Sequence, residues 1–216
     1  MSRLDALIDA LASDAQPVRP LRSPLKRALS WLIAVAALSG ALIPAVADVG
    51  QLAARYSGRE ALMVVELSAM LATASLAILG AFFIAIPGRS RRWLLAPVAP
   101  FLAWLLLAGA GCFQLFASTG STGGGVADSL DCLFFILLAS LLLGAPLIWL
   151  LARARPLEPL PVALLGGLGT AALAAFMLQF FHPFAVTFVD LAVHVLAIAL
   201  VVAASALLNR RALSAA

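Results

Sequence analysis

Charge is scarce in this chain of 216 residues: Asp, Glu, Lys and Arg together make up 11% of it. A soluble domain carries about a quarter charged residues and is nearer half apolar. Here 64% of residues are hydrophobic and the mean hydropathy is +1.10, so a water-soluble fold is excluded. Cysteine and histidine are also rare, two of each. No CxxC or HExxH pattern is formed, which removes the compact zinc motifs. No nucleophile elbow or phosphate loop occurs either, so an enzyme is not expected. Strand-like alternation is missing, which argues against a barrel. The basic residues never form a long run with interleaved aromatics, so direct nucleic-acid binding is not expected.

What the chain does have is long apolar runs, at roughly 28–47, 61–86, 93–116, 132–152, 160–181 and 186–208. Each approaches the ~20 residues that cross a bilayer as a helix rising ~1.5 Å per residue. The expected fold is an all-α polytopic membrane protein, a bundle of six transmembrane helices in a bacterial inner membrane. The first run follows a hydrophilic tail and has no clear cleavage site, so it reads as a retained span rather than a signal peptide. With the N-terminus in the cytoplasm, twelve of the fourteen basic residues fall on that side: Arg3, Arg19, Arg22, Lys26, Arg27, Arg89, Arg91, Arg92, Arg153, Arg155, Arg210 and Arg211. Only Arg55 and Arg59 lie outside. The reverse topology violates the positive-inside rule, so both ends are expected in the cytoplasm.

Ahead of the spans, residues 1–16 read as a short amphipathic helix with Leu4, Leu7, Ile8 and Leu11 on one face. Asp5, Asp9 and Asp14 lie mainly away from that stripe. So short a helix is marginal alone and is expected to fold against something. A protein partner, its own bundle and the membrane surface are the three options. The acidic face disfavours anionic lipid. Residues 17–27 read as a proline-rich spacer, 28–208 as the bundle and 209–216 as a cytoplasmic tail.

Seven chemically capable side chains fall at the outer half of these spans: Glu66, Cys112, Asp131, Cys132, His182, Asp190 and His194. Ionisable groups at that depth are functional candidates by default. Runs three and four read as an antiparallel pair, with Cys112 near the end of one and Cys132 opening the other. Two thiolates and two imidazoles suit a soft cation such as zinc or cadmium. A Cys112–Cys132 disulfide, static or redox-switched, is a second reading, since adjacent helix ends can bring two Cα atoms within reach. Ordinary packing of Cys112, and a neutralised Asp190–His194 pair four residues apart, is the third. The inner half shows no matching polar set, which counts against a transporter. A membrane redox enzyme lacks a recognisable cofactor site. Gly166, Gly167 and Gly169 lie inside an apolar span and read as a close-packing face, within one chain or between two.

The ordered pieces of the chain resemble the NrsF-type membrane anti-sigma factors. Those pieces are Leu7-Ile8-Asp9-Ala10-Leu11-Ala12, Ile86-Pro87-Gly88-Arg89 with Trp93, and Gly111-Cys112. Asp131-Cys132, Leu178-Gln179-Phe180-Phe181-His182-Pro183-Phe184, Asp190 and His194 complete the set. The resemblance implies a six-span regulator that holds an extracytoplasmic-function sigma factor inactive at its cytoplasmic face. It implies outer-face cysteines that respond to heavy-metal stress, with Cys112 and Cys132 in that role. No cofactor is required on this reading; a divalent metal such as zinc or cadmium would enter as the signal.

Overall fold

The computed structural model describes residues 3–14, 20–46, 60–120, 126–181 and 187–214, with isolated positions 50 and 57. Among these there are seven α-helices and no strand. They are α1 (Arg3–Ser13), α2 (Pro24–Val46), α3 (Glu60–Ile84), α4 (Val98–Thr119), α5 (Val126–Ala152), α6 (Pro159–Leu178) and α7 (Phe188–Ser214). Helices α2 to α7 supply six stretches long and apolar enough to cross a membrane, as the composition predicts.

Local chemistry sets several boundaries away from those expected. The Lys26 N–H donates to Ser23 Oγ at 3.4 Å, and Pro24 takes the first helical position, where its missing N–H is no loss. The spacer therefore ends at Ser23, not at residue 27. The run expected from residue 93 splits into a 3-10 turn, Arg91–Leu94, and α4 from Val98. In that turn the Trp93 ring stacks on Phe83, centroids 4.5 Å apart. Helix α4 closes on Gly120, whose φ of 67° is left-handed and natural for glycine, with its N–H donating to the Phe116 carbonyl at 2.8 Å. Helix α5 begins at Val126, so Cys132 lies inside it rather than opening it.

Helix α6 is the central element. Of its apolar stretch 67% is buried, against 11% for α2. It packs on α3, α5 and α7; α4 rests on α3 and α7, and α2 on α3. The glycines explain why α6 can be so surrounded. A Cβ on Gly167 would stand 3.0 Å from Val202 Cα on α7, and one on Gly169 would stand 2.5 Å from Ile78 Cδ1 on α3. Opposite sides of one helix thus bring two neighbours to near backbone contact, the association that lipid-exposed helices use in place of a hydrophobic driving force. Helices α4 and α5, although consecutive, share no substantial interface. The expected antiparallel pairing of runs three and four is corrected, because α6 and α7 take the packing surface of α5.

One end of the bundle is basic. The turns there are tied by an Arg91–Glu158 ion pair. Arg27, counted among the residues of the cytoplasmic side, is buried: its guanidinium donates to the Leu150 carbonyl and lies 5.1 Å from the centroid of the Phe82 ring. The amphipathic helix α1 precedes α2 in sequence. All its residues are exposed, Leu4, Leu7, Ile8 and Leu11 between 54% and 66%, so it does not cover its own stripe by packing on the bundle.

Candidate functional site

At the opposite end of the bundle the polar side chains meet at one level. Glu66 is six residues into α3, Cys132 six into α5 and His194 six into α7, while Cys112 is seven from the end of α4. At ~1.5 Å per residue each lies about 9–11 Å from its helix end. Glu66, Cys112, Cys132, Asp190 and His194 are all buried. Both carboxyls, Asp190 and Glu66, are within electrostatic range of Cys112. Residues from α3, α4 and α7 therefore form one polar centre, and α5 adds to it through Ser129.

Asp190 organises that centre. Its Oδ1 accepts from Ser129 Oγ on α5 at 2.7 Å. Its Oδ2 accepts from the Thr187 N–H at 3.1 Å and from Thr187 Oγ1 at 2.8 Å. The Asp190 N–H donates back to Thr187 Oγ1 at 3.3 Å. The exchange between residues 187 and 190 is a capping box at the start of α7, with Asp in place of the usual Glu. An unsatisfied carboxylate here would be costly, and three donors offset that cost. The oxygen that faces Ser129 also pins α7 to α5.

His194 Nδ1 donates to the backbone carbonyl of Asp190 at 2.6 Å. Because a carbonyl only accepts, that bond places a proton on Nδ1. Asp190 thus acts as a capping carboxylate, and the His194 ring hangs from the helix backbone one turn on. Over the cluster, Phe116 of α4 meets Phe188 of α7 edge-on at 6.5 Å, and Phe135 of α5 meets Phe181 at 5.5 Å.

The two cysteines occupy unlike surroundings. Cys112 belongs to the polar centre, whereas Cys132 packs in an apolar cluster with Met70, Trp104, Ile136 and Ala171. Both are thiols and no disulfide joins them. Asp131, one residue from Cys132, is exposed and does not join the buried set. The ~100° step between neighbouring helical residues separates them. His182 lies outside the described residues. Among the described residues no three His, Cys, Asp or Glu side chains come together as a metal-holding group.

Sequence reasoning missed Ser129 and Thr187. Thr187 was detectable, because Thr187-Phe188-Val189-Asp190 has the spacing of a capping box ahead of an apolar run. Ser129 had no signal, since its importance comes only from facing α7. Gln179, buried at the end of α6, is a further polar neighbour at this end.

Comparison with known families gives one match: the family model described as negative regulator of sigma F, NrsF, matches residues 11–214. No curated protein and no solved structure matches the chain.

Proposed function

The chain belongs to the NrsF family, negative regulators of sigma F, and from that premise we propose that it sequesters an extracytoplasmic-function sigma factor at the inner face of a bacterial inner membrane. The observation that carries this reading is the exposed apolar stripe of α1, Leu4, Leu7, Ile8 and Leu11. An amphipathic helix with that stripe uncovered and acidic residues beside it suits a groove on a protein partner. The basic end of the bundle, with Arg89, Arg91 and Arg92, would face the cytoplasm by the positive-inside rule and supply a second contact. Both termini would then be cytoplasmic, and the polar centre would face the periplasm. The protein acts by binding and not by catalysis.

Release is the second half of the proposal. Cys112, within electrostatic range of Glu66 and Asp190, is the sensing thiol, with Cys132 of α5, buried in the apolar cluster, as its assistant. A heavy-metal cation or an oxidant reaching Cys112 would disturb the Asp190 centre that ties α7 to α5. His194 is the accessory ligand in the metal version. A ligand shifts such an equilibrium only by its differential affinity for the two states. Tenfold release needs ~1.4 kcal/mol of coupling, a modest demand on one thiolate–metal contact.

Co-purification tests the two halves separately. Removing residues 1–16 should abolish capture of the sigma factor; undiminished capture would refute docking through α1. Cys112→Ser should keep capture and lose cadmium-induced release; normal release in that variant would refute the sensor.

A further inference from the structure

A large cavity lies away from the polar centre, in the basic half of the bundle between α5, α6 and α7. It measures about 770 Å³, within the ~300–1,000 Å³ range of ligand sites. Its walls are apolar, among them Leu147, Leu151, Val162 and Leu208. The Thr170 hydroxyl on the wall donates to the Gly166 and Gly167 carbonyls, 3.1 Å each, so it asks nothing of an occupant. Thr170 is eleven residues into α6, which puts the cavity floor ~16 Å from that helix end, about half of a ~30 Å hydrocarbon core.

The mouth of this cavity is cationic. Arg155 lines it, and its φ of 44° holds a non-glycine residue in the left-handed region. Arg155 has no carboxylate partner among the described residues, since nearby Glu158 pairs with Arg91. Arg153 sits beside it in sequence, its guanidinium 3.6 Å from the centroid of the Trp149 ring. An apolar slot of half-bilayer depth, capped by an uncompensated guanidinium, matches an anionic lipid: phosphate at the rim and a hydrocarbon tail below.

We propose that this groove binds an anionic phospholipid, its phosphate on Arg155 and one acyl chain between α5, α6 and α7. The acidic helix α1 is a poorer occupant, because entering the slot would carry Asp5 and Asp9 to hydrocarbon depth.

Native mass spectrometry of the full chain, released from nanodiscs of phosphatidylglycerol and phosphatidylcholine in equal parts, tests the assignment. Phosphatidylglycerol should be retained about fivefold over phosphatidylcholine, the factor corresponding to ~1 kcal/mol per basic side chain at a membrane surface. Arg155→Gly should bring the ratio near one with an unchanged or raised melting temperature, because glycine accepts the left-handed backbone. Gly144→Leu should reduce retention of both lipids, since only Thr170 Oγ1 approaches its Cβ position, at 4.0 Å, and the added side chain can fill the slot. No preference in the unaltered protein, or a preference that survives Arg155→Gly, would overturn the proposal. So would a photo-crosslinker at Ile148 that captures residues 3–13 in place of lipid.

Discussion

Replacing Asp190 by alanine should be the most damaging single change in the polar centre, and the hydrogen bonds say by how much. The carboxylate accepts from Ser129 Oγ, the Thr187 N–H and Thr187 Oγ1. Truncation leaves the Ser129 hydroxyl and the Thr187 N–H as buried donors, each costing about 1–3 kcal/mol when unmet. The reciprocal cap of α7 is also weakened, for roughly 0.5–2 kcal/mol more. A loss of about 2–5 kcal/mol follows, because the Ser129 hydroxyl can turn to another acceptor and the Thr187 N–H is already part of the cap. Ser129→Ala, by contrast, removes one interhelical bond while Asp190 keeps two donors. Such bonds within membranes are worth about 0.6 kcal/mol on average and at most ~1.7. Unfolding of both variants in mixed micelles, followed by far-ultraviolet circular dichroism, gives the comparison directly. If Asp190→Ala cost no more than Ser129→Ala, the carboxylate would not be the hub and coupling of α7 to α5 through it would be wrong.

The glycines of α6 should separate sharply in the same assay. Gly166→Ala meets only ordinary contacts at 3.5 and 3.7 Å and should be neutral or stabilising by up to ~1 kcal/mol through helix propensity. Gly167→Ala meets Val202 Cα and Ser205 and should be destabilising, because overpacking costs about 1–3 kcal/mol. Arg27→Ala should lose about 2–3 kcal/mol with its bond to the Leu150 carbonyl and its place over Phe82, and Arg27→Lys should recover part of it. Cys132→Ser should be more destabilising than Cys112→Ser, because its hydroxyl would enter an apolar cluster. Both thiols, 2% and 5% exposed, should react with maleimide far more slowly in the folded protein than after unfolding, and equal rates would contradict their burial.

Much of the membrane architecture was legible in the residues alone. A bilayer offers no water to the backbone, so apolar runs of ~20 residues must be helices. Counting residues at a fixed rise then gives depth. That is why Glu66, Cys112, Cys132 and His194 were expected in the same half of the spans; each is six or seven residues from a helix end. The amphipathic face of residues 3–13 was equally readable, because helical periodicity needs no partner to be seen. The boundaries were less so: Pro24 looked like part of a spacer, although Ser23 ahead of it carries the signature of a helix start.

Angle around the helix axis and choice of neighbour are another matter. Asp131 and Cys132 share a depth, yet one is exposed and the other is packed against Trp104 and Ile136. Arg27 counts as a cytoplasmic charge by position and turns out to be a buried donor to Leu150. Ser129 acquires its role only because α7 lies beside α5, and α7 lies near α6 because Gly167 lets it approach. Depth is a one-dimensional quantity set by hydropathy and charge, and sequence determines it. Which faces meet depends on small differences in close packing summed over all six spans, and only the tertiary structure decides that.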